Sequence, residues 1–235
     1  MEFQIVSIEG NIGSGKSTLL DNLKKEFNNN PYIIFLKEPV DEWSNIKDEN
    51  DVTILEKFYS DQDKYSFSFQ MMAYISRLNL LKDTVLQIKS LHSKNDSDTQ
   101  ISKYIIITER SLCTDKMVFA KMLYDSGKIE HINYQIYLKW FDAFSKEYPI
   151  DKIIYVKTDP EICHERIVKR HRDGESNIPI EYLQSCDKYH EKMLDTSSNE
   201  CVCEEQLILN GNNDIYKNKN ILDEWVLTIK SFIHK

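Results

Sequence analysis

Gly10-Asn11-Ile12-Gly13-Ser14-Gly15-Lys16-Ser17, followed by Thr18, is a complete G-x-x-x-x-G-K-[ST] stretch, and its setting decides the fold. On its amino side Phe3, Ile5, Val6 and Ile8 form a short apolar run without a breaker, the composition of a buried strand. On its carboxyl side Leu19, Leu20, Leu23 and Phe27 recur at helical spacing, with Lys24 and Lys25 between them. Strand, glycine-rich loop and helix is the order a phosphate cradle requires. The glycines let the backbone curl so that successive N–H groups face inward, while the new helix presents its positive end to the same point. In such a cradle Lys16 reaches the β- and γ-phosphates of a nucleotide and the Ser17 hydroxyl faces Mg²⁺.

Working outward, four further runs rich in Ile, Val, Leu or Tyr lie at 32–36, 104–108, 152–156 and 206–209. Together with 3–8 they read as strands buried on both faces of a parallel sheet. Helical segments separate them. The class is therefore α/β, with a doubly wound, five-stranded parallel sheet. A long helix is predicted over about 64–91, with Phe67, Met71, Met72, Ile75, Leu78 and Val85 on a broad apolar face, and another over 131–147. Asp159-Pro160-Glu161 reads as N-cap, first-position proline and first-turn acid of a helix to about Lys169. Pro179 opens a helix to about Leu194, and a last one runs from about Leu222 to Ile233. Residues 93–103 read as a solvated loop and 195–204 as a flexible insertion. No linker interrupts the chain, so a single domain over 1–235 is expected.

Bulk properties narrow the partners. The 235 residues are 41% hydrophobic and 29% charged, with a formal net charge of −8 and a pI near 5.3. This is a globular composition, and its acidity disfavours a broad nucleic-acid-binding face. Cys113, Cys163, Cys186, Cys201 and Cys203 are odd in number and irregularly spaced, which suits reduced thiols in the cytoplasm. A strand starting at residue 2 or 3 leaves no room for a targeting peptide, and no run is apolar enough for a membrane span.

The acceptor of the phosphate is sought next. The second strand ends in Lys37-Glu38-Pro39-Val40, with Trp43 beyond. Ligands bind at the carboxyl ends of strands in such sheets, which sets Glu38 beside the phosphate loop, able to take the proton of an attacking hydroxyl. Thr108-Glu109-Arg110-Ser111 ends the third strand. Glu109 there would lie near Ser17 and hold Mg²⁺ directly or through water, and Arg110 offers a forked donor to a phosphate or sugar hydroxyl.

These pieces resemble the deoxynucleoside kinase family over nearly the whole chain. The matching residues are the phosphate loop; Glu38-Pro39-Val40 with Trp43; Tyr59; Phe69-Gln70 with Arg77; Glu109-Arg110-Ser111 with Asp115 and Phe119; and the arginine-rich segment 166–172, then Glu175 and Tyr182. The resemblance implies a P-loop kinase fold with an arginine-rich lid at about 166–177, and transfer of the ATP γ-phosphate to the 5′-hydroxyl of a deoxynucleoside. It implies that Glu38 activates that hydroxyl, with Glu109 on the Mg²⁺ side and sometimes designated the proton acceptor. Tyr59 and Glu175 would grip the 3′-hydroxyl, Gln70 would read the base edge, and Phe119 and Trp43 would flank the base. Arg166, Arg170 and Arg172 would close over the phosphates, and Asn213, Asp214 and Ile215 would hold the adenine of ATP.

An Arg and an Asp at the positions of Arg77 and Asp115 pair against the base in the deoxycytidine/deoxyguanosine branch. Deoxycytidine or a purine deoxynucleoside is therefore expected over thymidine. Family members are usually homodimers through the long helix and its neighbour. Two other readings stay open at this level: a nucleoside monophosphate kinase of the thymidylate type, whose second phosphate Glu38 would repel, and a non-catalytic nucleotide-binding switch.

Overall fold

Every residue of strand β1 (Phe3–Glu9) is buried, as an apolar run without a breaker requires. The computed structural model, which describes residues 3–94, 103–170 and 178–235, sets β1 at the centre of a five-stranded sheet. Its neighbours are β3 (Tyr104–Glu109) on one side and β4 (Lys152–Lys157) on the other, with β2 (Ile33–Leu36) outside β3 and β5 (Gln206–Asn210) outside β4. All four pairings are parallel. Each predicted strand is found to within one residue at either end.

Alternation along the strands sorts side chains into two layers. Ile105 and Ile107 of β3, Val6 and Ile8 of β1 and Ile154 and Val156 of β4 face helices α1 (Lys16–Glu26) and α10 (Lys219–Ile233). Ile106 of β3 and Phe3 and Ile5 of β1 face α4 (Gln62–Lys94) and α7 (His131–Phe144). Ile153 and Tyr155 meet α9 (Ile180–Leu194) on that side. The chain leaves β1 for the far edge strand β2, and leaves β3 across β1 for β4. The crevice at the carboxyl ends of β1 and β3 is therefore the topological switch point, where ligands sit in such sheets.

The predicted long helix is longer than its apolar face, because α4 continues to Lys94, into the segment expected as loop. Polar residues with fair helix propensity can extend a solvated end. The prediction over 131–147 is met by α7 and a single 3₁₀ turn, Ser145–Glu147. Helix α8 (Pro160–Arg170) starts at the expected proline, whereas α10 starts a turn early, where the Asn218 side chain accepts from the Asn220 N–H. The 195–204 stretch is tied back to α9: Val202 N–H donates to the Met193 carbonyl, and Val202 and Cys203 pack beside Met193.

Three short elements carry no periodicity long enough to read. These are α2 (Val40–Trp43), α3 (Ile54–Ser60) and a composite helix: α5 (Leu112–Thr114), a π-helical stretch (Asp115–Ala120) and α6 (Lys121–Asp125). The start of α3 had a local signature, Thr53-x-x-Glu56, which forms a reciprocal capping box. π-helical stretches concentrate at functional sites, and this one carries Asp115 and Phe119.

Candidate active site

Positive φ angles build the phosphate loop: +145° at Gly10, +79° at Gly13 and +106° at Gly15, where a β-carbon would be strained. At Gly13 a Cβ would also stand 2.6 Å from the Cys163 carbonyl oxygen of α8. The Asn11 side chain anchors the loop by donating to the Leu183 carbonyl at 2.8 Å and accepting from the Ile12 N–H at 2.8 Å. Lys16 Nζ donates to the Asn11 carbonyl at 2.6 Å from a buried position. Burial, aided by nearby Arg110 and opposed by Glu109 and Glu38, lowers its pKa from 10.5 to about 7. A phosphate group arriving there would restore the charge.

Strand ends then bring the acids and arginines together. The Ser17 hydroxyl donates to Glu109 Oε1, which puts two hard oxygen donors side by side at the loop. Glu38, just beyond the end of β2, accepts from Arg110 Nη1 at 2.7 and 2.8 Å and from Arg77 Nη2 at 2.9 Å. Burial alone would raise its pKa, but Arg110, then Arg77 and Lys16, overcome this and bring it from 4.5 down to about 2. Arg77 also donates from Nε to Asp115 Oδ2 at 2.9 Å and from Nη1 to the Glu109 carbonyl at 2.6 Å. Burial pushes Asp115 up to about 6 against the pull of Arg77. Arg77 pairs with Asp115, as the family resemblance implies, but it lies behind the acids rather than on the cleft wall where a base would meet it.

Glu38, Glu109, Arg110, Asp115 and the phosphate loop from Ile12 onward line one cleft of about 640 Å³ that runs from Gln70 to the β5–α10 loop. Gln70 is 2% exposed, and its Oε1 has no hydrogen-bond partner. Buried polar atoms are nearly always paired, so an orphan acceptor on a cleft wall marks where a ligand donor would sit. Trp43 Nε1 donates to Ser76 Oγ at 2.9 Å, and its ring meets Phe69 edge-on, with centroids 5.6 Å apart. Phe69 in turn stacks on Phe58 at 4.5 Å. Across the cleft the Arg110 guanidinium stands 5.1 Å over the Phe119 ring. Tyr59 lines the cleft and meets Tyr182 edge-on at 6.1 Å.

At the far end Arg166 joins the two sides of the nucleotide cradle, donating to the Ser14 carbonyl at 3.2 Å and the Asn213 carbonyl at 3.3 Å. Arg170, Asn213, Asp214 and Ile215 line the same end, and so do Tyr216 and Trp225, which sequence reading did not single out. Gly211 allows the close approach of β5 to Thr158, where a Cβ would lie 2.0 Å from Oγ1. Arg172 and Glu175 lie outside the described residues, as does the expected lid beyond Arg170. Phe58 and the Glu9–Thr114 contact beneath Arg110 were also missed, since single buried residues leave no pattern.

Residues 6–234 match the deoxynucleoside kinase family profile. Relatives include a Fowlpox virus (strain NVSL) protein named probable deoxycytidine kinase, 33% identical over 231 residues that cover 97% of this chain and 87% of the relative. The mitochondrial deoxyguanosine kinase of Xenopus laevis is 29% identical over 252 residues, 99% of this chain and 91% of that one. Mitochondrial thymidine kinase 2 of Macaca fascicularis is 31% identical over 192 residues, 81% of this chain and 64% of the relative, so the chain spans less than two thirds of that protein. Three base specificities are represented among proteins about equally similar to this one. A profile match running almost from end to end is not a property of the phosphate loop alone, and it settles the ancestry: the chain belongs to the deoxynucleoside kinase family.

Proposed function

We infer that this protein is an ATP-dependent deoxynucleoside kinase, transferring the γ-phosphoryl group to the 5′-hydroxyl of a deoxynucleoside. The observation that carries the reading is the Glu38 carboxylate, gripped by Arg110 and Arg77 on the wall of the cleft that holds Lys16 and the phosphate loop. Phosphoryl transfer passes through a loose transition state, so the protein's task is positioning and charge stabilisation rather than strong base chemistry. Glu38, with its pKa near 2, is ionised throughout the neutral range and ready to accept the hydroxyl proton late in the transfer. Arg110 orients that carboxylate. Lys16 and the N–H groups of residues 10–18 hold the phosphates, and Arg166, Arg170 and Arg172 complete the cover on the donor side.

At the acceptor end Gln70 would hydrogen-bond the base edge, using an amide that offers both donor and acceptor. Phe119 and Trp43 would flank the base, and Tyr59 with Glu175 would hold the 3′-hydroxyl. Asp115, held by Arg77 and itself lining the cleft, would favour a base that offers it an exocyclic amino donor, cytosine or a purine over thymine. Asn213, Asp214 and Ile215 would border the adenine of ATP. Ser17 and Glu109 suit Mg²⁺, which commonly takes only one or two protein oxygens and keeps water and phosphate for the rest. When bound there, Mg²⁺ would neutralise charge on the β- and γ-phosphate oxygens.

The whole chain is read as one catalytic domain, with the lid at about 166–177, acting in the cytoplasm; its five free cysteines accord with a reducing compartment. No helix among the described residues is long and apolar enough to cross a membrane. Ile132, Ile136, Trp140 and Phe144 recur every fourth residue along α7 and are all exposed, which supports a homodimer built on this face and its neighbour α4.

The test is a panel of deoxycytidine, deoxyadenosine, deoxyguanosine and thymidine with γ-labelled ATP and Mg²⁺. Label is expected in a 5′-monophosphate, with thymidine trailing the best substrate ~10-fold, the scale of one unmatched buried polar group. No transfer to any nucleoside would remove the kinase reading. Thymidine leading would remove only the base assignment.

A further inference from the structure

Beneath the arginine that orients Glu38 lies a second carboxylate for which phosphoryl transfer, as read above, has no use. Glu9, the last residue of β1, is fully buried, and its partners are hydroxyls. Ser7 Oγ donates to Oε1 at 2.6 Å and Thr114 Oγ1 donates to Oε2 at 2.5 Å. Because the Thr114 proton is used on Glu9, the 3.1 Å contact between Ser111 Oγ and Thr114 Oγ1 must be donated by Ser111. Ser111 Oγ accepts in turn from the Thr114 N–H at 3.2 Å. The result is a one-way chain of hydroxyls, Ser111 to Thr114 to Glu9, in which the carboxylate sets every direction because it can only accept.

Arg110 stands one residue before this chain, and its backbone is strained. Its φ is +63°, a left-handed conformation that a long side chain seldom adopts. Such a conformation persists only where the surroundings over-determine it. Here the Arg110 N–H donates to the Ile8 carbonyl at 3.0 Å, and the next residue, Ser111, is tied through Thr114 to Glu9. Both ends of the strained residue are thus clamped to β1, at consecutive positions. The strained turn is what sends the guanidinium to the Glu38 carboxylate and over the Phe119 ring.

We propose that Glu9 and Thr114 are positioning residues for the transfer reaction: the buried carboxylate holds the left-handed turn that presents Arg110 to Glu38. A carboxylate deep in a protein is unfavourable unless its bonds are used, and a glutamine could not accept from both hydroxyls through two oxygens. The claim rests on the kinase reading of the preceding section.

The test is Thr114→Val, which removes the hydroxyl and keeps the shape, set against Thr114→Ser, which restores it. For Thr114→Val, kcat is expected to fall ~10- to 100-fold, the effect of a displaced orienting group, with the deoxynucleoside KM changed less than ~3-fold. Thr114→Ser is expected to recover most of the turnover. A purely architectural contact would lower melting temperature in Thr114→Val and leave kcat of the folded fraction intact, which would overturn the proposal. If Thr114→Val folds poorly, Glu9→Gln is the second variant, with the same direction expected. A crystal structure of either variant supplies a readout independent of turnover. Arg110 is expected to leave the Glu38 carboxylate; its remaining there, at unchanged φ, overturns the proposal. An unmodified protein that phosphorylates nothing would overturn the kinase reading instead.

Discussion

Three hydrogen bonds from two guanidinium groups leave the Glu38 carboxylate with little basicity and a fixed direction. Its contribution is then to have an acceptor in place before the hydroxyl arrives, which is worth most in the transition state. Glu38→Gln keeps the outline and removes the charge. Its kcat is expected to fall ~100-fold or more while deoxynucleoside affinity stays within a few-fold. Turnover assays and calorimetric titration of the deoxynucleoside measure the two separately, and equal losses would assign Glu38 to binding alone. Glu38 was legible from the sequence because it follows the carboxyl end of a strand, and Gln70 only through the family resemblance. Glu9 and Thr114 were not, since their contact joins ordinary residues 105 positions apart.

Helix α9 carries a buried histidine. His190 is fully buried, its Nδ1 lies 2.8 Å from the Cys186 carbonyl, and its Nε2 has no partner. The ring lies parallel to Tyr155 at 6.5 Å and edge-on to Phe119 at 6.3 Å, so α9 backs the aromatic wall of the substrate cleft. Burial lowers the imidazole pKa from 6.5 to about 3. The unfolded chain therefore binds a proton that the folded chain refuses, and stability drops as pH falls below 6.5, by up to ~1.4 kcal/mol per unit until about 3. His190→Gln removes that term. The gap in melting temperature between variant and parent is expected to shift in the variant's favour from pH 7 to pH 5, and parallel curves would show that His190 is not buried neutral. Among the elements themselves, the sheet was readable because strands buried on both faces are continuous apolar runs. The composite helix 112–125 was not, because its π-helical stretch shifts the helical period where Asp115 and Phe119 must face the cleft.

For the whole molecule, assembly turns on α7. Trp140 is 47% exposed and stacks on Phe144 at 5.5 Å, in the middle of the uncovered apolar stripe. Trp140→Glu would place a charge in the centre of a two-fold contact, and sedimentation is expected to move from a two-chain to a one-chain mass. A parent protein that sediments as a monomer would refute the dimer. What sequence alone determined was the fold class and the phosphate loop, because these depend on local composition, spacing and a motif whose chemistry demands its own context; most other cleft residues were implied by the family resemblance. What only the tertiary structure decided was which charges meet. Arg77 reaches Glu38 as well as Asp115, and a buried acid at the end of β1 holds the turn under Arg110. Hydrogen-bond direction and ion pairing are short-range and geometric, so they exist only once a parallel sheet has brought distant strand ends to one edge.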